Sequence, residues 1–362
     1  YTFSRAHLPL MIRKFLLALP AILVPALYAL LYFLPGSSIP LGQMGLFPQL
    51  VVVESEPEVE ESIAEEPQIV EAAVTFEEEQ ESTAVEPLNS APEFPAITPL
   101  RDLENMDLEL ALRQAVTSNP NWARLVADGR MNLGLVDMSQ AGNNRFASLN
   151  GQNMIYAASL PKIAVLAAAL DAIERGELEP TDEVRSDLRL MIARSNNQAT
   201  TRTIDRVGFE NIERTMTDDR YRLYDPEFGG GLWVGKRYAA GGRRYPDPMQ
   251  GISHAATAEQ VCRFYYLLAN NALISPEASM EMRQYLVDPE LHHKFVNTLD
   301  QVAPRASVYR KSGSWRNYHA DSVWVEGPER NYIFTALIDD PNGEQICREL
   351  MAVVDQMLQG GA

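Results

Sequence analysis

Strand-like runs stand at both ends of the folding part of this chain and helical runs fill its middle, which restricts the fold more than any other feature. Met131 to Met138 (MNLGLVDM) and Arg145 to Leu149 read as a β-hairpin, joined by the turn-forming Ser-Gln-Ala-Gly-Asn-Asn. Far downstream, Ser307 to Lys311, Asp321 to Val325 and Tyr332 to Ile338 are again strand-like, the last two linked by Gly327-Pro328-Glu329-Arg330. Helical patterns lie between: Ile163 to Arg175 closed by Gly176, Ser186 to Ala193, Ala199 to Val207 ended by Gly208, Gln260 to Ala269 after Thr257-Ala258-Glu259, and another opening at Pro276. Leu103 to Val116 and Glu344 to Leu358 are helical at either end. A strand cannot bury its face alone, so the separated strands must meet in one sheet. The expected fold over residues 101–362 is therefore α/β (α+β). An antiparallel sheet is flanked by the N- and C-terminal helices, and an all-helical domain is inserted at about residues 160–300.

Residues 1–100 have a different character. Phe15 to Leu34 is free of charge for twenty residues, the length that spans a hydrocarbon core. Arg13 and Lys14 precede it and no Lys or Arg recurs until Arg101, which assigns residues 1–14 to the cytoplasm and the rest to the far side. A cleaved signal peptide is the competing reading, disfavoured by the length of the run and the want of a small-x-small cleavage site. Residues 51–100 carry fourteen glutamates and no base, a composition that repels itself and extends as a tether, or serves as a docking tail for a cationic partner. The expected organisation is a tail (1–14), a single transmembrane anchor (15–34) in the inner or cytoplasmic membrane, an acidic disordered linker (35–100) and a periplasmic or extracellular domain (101–362). With a net charge of −18 and no basic stripe, the chain is a poor candidate for nucleic-acid binding, and no nucleic-acid partner is expected.

Three short motifs carry chemistry. Ser159-Leu160-Pro161-Lys162 opens the first helix of the middle region, with proline tolerated in the first turn and Ser159 and Lys162 one turn apart. A serine hydroxyl needs a base, and a lysine serves only if burial or cationic neighbours lower its pKa. Taken alone, the motif is more often an ordinary N-cap with a solvated lysine. Ser195-Asn196-Asn197 then breaks two helices, and Lys311-Ser312-Gly313 follows on a strand.

In this order and on these elements the three motifs resemble those of the penicillin-recognising serine hydrolases, most closely the class A β-lactamases, over roughly residues 103–362. The resemblance implies that Ser159 attacks an acyl carbonyl, Lys162 relays its proton, and Ser195 passes a proton to the leaving nitrogen. It implies further that Asn197 holds a substrate amide and Lys162, that Lys311, with Ser312 bonded to it, faces a substrate carboxylate, and that Gly313 lets the strand approach. The N–H groups of Ser159 and of the strand near Ser314 would form the oxyanion hole. The second motif reads Ser-Asn-Asn where the family has Ser-Asp-Asn, and the interval from Lys162 to Ser195 is short. The deacylating Glu-Pro-Glu-x-x-Asn stretch has its nearest match in Asp225-Pro226-Glu227-Phe228-Gly229. Asp225 is thus either a general base with a side chain one methylene shorter, or only a turn starter.

The expected partner is a β-lactam or a peptidoglycan-like small molecule, with no cofactor and no metal. The function expected is a membrane-anchored hydrolase acting on β-lactams. A D,D-peptidase, another amide or ester hydrolase, or a catalytically weak binding or scaffolding module are the alternatives. His292, His293 and His319 with Asp321 lack the spacing of a metal site and read as surface histidines. Cys262 and Cys347 read as two buried thiols rather than a disulfide, and the Gly-rich Gly229 to Gly242 as a loop without phosphate-binding context.

Overall fold

The structure, a computed structural model, describes residues 97–360. The expected tail and membrane span, and nearly all of the expected acidic linker, lie outside the described residues. Among those described, no helix is long and apolar enough to cross a membrane.

The helices are α1 (Met106–Thr117), α2 (Pro120–Ala127), α3 (Lys162–Glu174), α4 (Asp182–Ala193), α5 (Asn197–Val207), α6 (Phe209–Thr217), α7 (Ala258–Ala269), α8 (Pro276–Leu286), α9 (Phe295–Val302) and α10 (Gly343–Gln359). The strands are β1 (Met131–Asp137), β2 (Arg145–Leu149), β3 (Ile155–Tyr156), β4 (Tyr224–Asp225), β5 (Gly230–Gly231), β6 (Trp233–Val234), β7 (His254–Ala256), β8 (Ser307–Trp315), β9 (Tyr318–Gly327) and β10 (Arg330–Asp339).

The strands from either end of the folded region meet as expected. β1 pairs antiparallel with β10, Met131 opposite Ile338 and Asp137 opposite Tyr332, in a five-stranded sheet of order β2-β1-β10-β9-β8. Strand alternation sends successive side chains to opposite faces, and two cores result. Met131, Leu133, Leu135, Tyr332, Phe334 and Ala336 pack with α1, α2, α9 and α10 on one face. Val136, Trp324, Ile333 and Leu337 pack with α7 and the helical middle on the other. Gly134 lets α7 lie close: a Cβ there would stand 2.7 Å from Cys262 Sγ and 3.0 Å from the Ala258 carbonyl. Cys262 and Cys347 are both buried free thiols on opposite faces of the sheet, so no disulfide joins them.

Capping explains most helix starts. Asn105, Thr181, Thr257 and Ser275 each accept a first-turn N–H through the side chain. Thr181 thereby starts α4 four residues before the expected Ser186. Helices α2, α6 and α9 were not anticipated. Each has eight or nine residues, too few to display a long apolar period.

Candidate active site

The approach to Ser159 is a strained turn rather than the first turn of a helix. β3 pairs with β7, Ala157 N–H donates to the His254 carbonyl at 2.8 Å, and Ala158 then takes a positive φ of 52°. Pro161 is the N-cap and Lys162 the first helical residue, so Ser159 sits in the tight turn that enters α3, with Lys162 N–H donating to its carbonyl at 3.3 Å. A non-glycine residue in that conformation costs roughly 1–3 kcal/mol and persists only where its surroundings enforce it. Ser195, at φ 56°, is a second such residue in the same site.

The three motifs converge. Lys162 is fully buried and donates to the Ser195 carbonyl, to Ser195 Oγ at 3.3 Å and to Asn197 Oδ1 at 2.8 Å. Burial pulls its ammonium down to about 7. Lys311 reaches the same hydroxyl from β8, with Nζ 2.8 Å from Ser195 Oγ. It too is buried and pushed well below the ordinary lysine range, by loss of water first and by the nearby Lys162 second. Two buried lysine amines therefore donate to one hydroxyl, whose own proton is left to point at whatever is bound. Asn196 occupies the place of the expected acid and caps α5, its Oδ1 accepting Ala199 N–H at 2.8 Å. A neutral amide performs that capping as well as a carboxylate.

Gly313 brings β8 against the nucleophile. A Cβ there would lie 2.3 Å from the Ala157 carbonyl, 2.5 Å from Ser159 N and 2.7 Å from Leu160 N, so any side chain would drive the strand off the Ser159 N–H. Ser314, exposed, is the next residue along. Ser312 meets Lys311 through its backbone carbonyl, at 2.9 Å from Nζ, rather than through its hydroxyl. Behind the strand, Lys294 is buried at φ 53° and donates to the carbonyls of Gly313 at 2.6 Å and Ala320 at 3.0 Å. Arg310 grips Asp321 with two bonds of 2.8 and 2.9 Å. Asp321 is thus a buried ion-pair partner in the sheet, and among the described residues no cluster suited to a metal occurs.

Asp225 does not join the cluster. It is buried beside Arg101 at 3.7 Å and Arg222 at 3.9 Å, and its Oδ1 accepts Glu227 N–H at 3.1 Å to start the 3-10 turn Pro226–Phe228. Its pairing partner Gly230 packs on Met154, and Gly229 on the Gln152 carbonyl, at the far end of the extended approach to Ser159. Asp225 starts that turn as an Asp-Pro sequence does whatever lies nearby.

A different residue reaches Lys162 from the Gly-rich loop. The ring of Tyr238 is centred 4.6 Å from Lys162 Nζ, and its hydroxyl donates to the Ala158 carbonyl at 3.0 Å. His254 packs on that ring at 4.3 Å, buried and held neutral by desolvation, which drops it to about 4. No spacing in the sequence marks Tyr238, since its position depends on the path of a long loop.

An antiparallel sheet with an inserted helical region, and Ser-x-x-Lys, Ser-x-Asn and Lys-Ser-Gly motifs meeting at its edge, define a class: the chain has the fold and the motif set of the β-lactamase-like serine hydrolases. Residues 183–357 match the family model described as the Beta-lactamase enzyme family, a span that holds the second and third motifs and begins after the first. Among solved structures the chain is similar to a β-lactamase from Sphaerobacter thermophilus DSM 20745, with 18% identity, 65% of this chain and 95% of that one covered, and a TM-score of 0.52. It is also similar to a mutant of PBP-A held as an acyl-enzyme with penicillin G (18% identity, 73% and 100% covered, TM-score 0.53). A third is the TLA-3 extended-spectrum β-lactamase (11% identity, 69% and 99% covered, TM-score 0.53). No curated protein matches the chain.

Proposed function

We propose that this hydrolase takes the acyl group of a β-lactam onto Ser159 Oγ and releases it to water, with residues 15–34 holding the domain at the outer side of the cytoplasmic membrane. The observation that carries the chemistry is the convergence of two buried lysines on the Ser195 hydroxyl, one of them at about 7 and therefore able to take a proton at neutral pH. Ser159 Oγ attacks the carbonyl carbon and its proton passes to neutral Lys162. The N–H groups of Ser159 and Ser314 bind the oxyanion. As the C–N bond breaks, the proton travels through Ser195 to the leaving nitrogen. Water then adds to the ester carbon, and Ser159 leaves with a proton. Asn197 receives the substrate amide, and Lys311 its carboxylate, whose charge restores the protonation that burial opposes.

A D,D-peptidase is the second reading, favoured by the position of Asp225, engaged with Arg101 and Arg222 away from Lys162. A fluorescent penicillin tests the first step. Covalent label on the wild type, lost in Ser159→Ala and fractionating with membranes, is the expected result. An unlabelled wild type overturns the proposal, and label in the soluble fraction overturns the anchor.

A further inference from the structure

The Gly-rich loop is closed on itself before it reaches the site. Gly235 N–H donates to the Ser253 carbonyl at 2.7 Å, Tyr245 N–H to the Gly235 carbonyl at 2.6 Å, and Trp233 Nε1 to the Tyr245 carbonyl at 2.8 Å. His254 ties it down again, with Nε2 3.0 Å from the Lys236 carbonyl and Nδ1 3.1 Å from Ser253 Oγ. Donation from Nε2 to the carbonyl fixes the tautomer and leaves Nδ1 to accept the serine proton. Tyr238 is thus presented from a braced arch, two residues past the tie at Lys236.

Two of its contacts fall on the two parts of the site that must be set before acylation. The phenol bonds the carbonyl of Ala158, the strained residue whose successor carries both the nucleophile and an oxyanion donor. The ring covers Lys162, whose other partners, Ser195 and Asn197, are all neutral. An aromatic face so placed holds off water and any carboxylate that would drive water onto an ester.

We propose that Tyr238 is a positioning residue that holds the Ala158–Ser159 turn ready for acylation and, by roofing Lys162, slows the later release of the acyl group to water. The inference rests on the acylation of Ser159. Titratable groups facing Lys162 are Lys311 from β8, His254 from β7 and Tyr238 itself.

The test compares wild type, Tyr238→Phe and Tyr238→Ala by rate of labelling with fluorescent penicillin, by lifetime of the acyl-enzyme in intact-mass chases, and by melting temperature. Tyr238→Phe keeps the roof and loses the bond, so labelling slows about tenfold while lifetime holds. Tyr238→Ala removes both, so labelling slows, lifetime falls about tenfold or more, and the pH at which labelling is half-maximal moves above about 7 as water reaches the ammonium. Should Tyr238→Ala melt low, Tyr238→Phe alone decides the positioning role. Labelling of Tyr238→Phe at the wild-type rate, or an unchanged lifetime in a folded Tyr238→Ala, overturns the inference and leaves Ser159 as the nucleophile. A wild type that takes no label fells both.

Discussion

At the scale of single residues, the charge of Lys162 decides when the site can act. Its amine accepts the Ser159 proton only when neutral, and burial sets that change near 7. Acylation should therefore rise with pH through about 7, read as the labelling rate against pH, and Asp225→Asn should trace the same curve and the same turnover. What Asp225→Asn should lose is its charge beside Arg101 and Arg222. That is worth about 1 kcal/mol, or a melting point lower by about 2–4 °C. A turnover reduced a hundredfold would instead restore Asp225 as the general base. Ser159, Lys162, Ser195, Asn197 and Lys311 were legible because short motifs fix residue types. Asp225 was ambiguous because a capping aspartate and a catalytic one look alike in a sequence. Tyr238 was invisible, since nothing local distinguishes it from the other aromatics of its loop.

At the scale of elements, β8 owes its position to what stands behind it. Lys294 and Arg310 are two buried basic side chains, and Asp321 is the carboxylate between β8 and α9, also accepting Phe295 N–H at 3.1 Å. Breaking such a pair leaves Arg310 buried and unmatched, at a cost of about 3–5 kcal/mol. Asp321→Asn should show that loss in urea unfolding and slow penicillin labelling as well, because the same strand carries Gly313 against Ser159 N. Wild-type labelling in a destabilised variant would separate the strand's position from the pair. The strands themselves were readable from alternation and turn residues, and Asp321 opened one of them. Its ion pair was not readable, since only burial shows that this aspartate, with no accessible surface, needs a cation and finds Arg310 one strand away. α2 carried a visible signal in Asn119-Pro120, a cap followed by a first-turn proline. α9 carried none, starting at Lys294 without a side-chain cap.

At the scale of the whole molecule, the sheet is a partition between two cores, and each thiol belongs to one of them. Burial pushes both Cys262 and Cys347 up to about 12, so neither should react with a thiol reagent in the native state and both should on unfolding. A count below two in denaturant without reductant would mean a disulfide that the sheet forbids. The overall architecture was readable because strands at both ends of a helical middle admit few solutions. The direct pairing of β1 with β10 has a consequence for synthesis. Met131 finds its neighbour only when Ile338 has been made, some ten seconds or more later at about 5–20 residues per second. Ser159 and Lys162 leave the ribosome long before Lys311 does, so the nascent chain carries its nucleophile without the strand that arms it. A message cut short after Asn197 and before β8 yields a chain that holds two of the three motifs and no working centre.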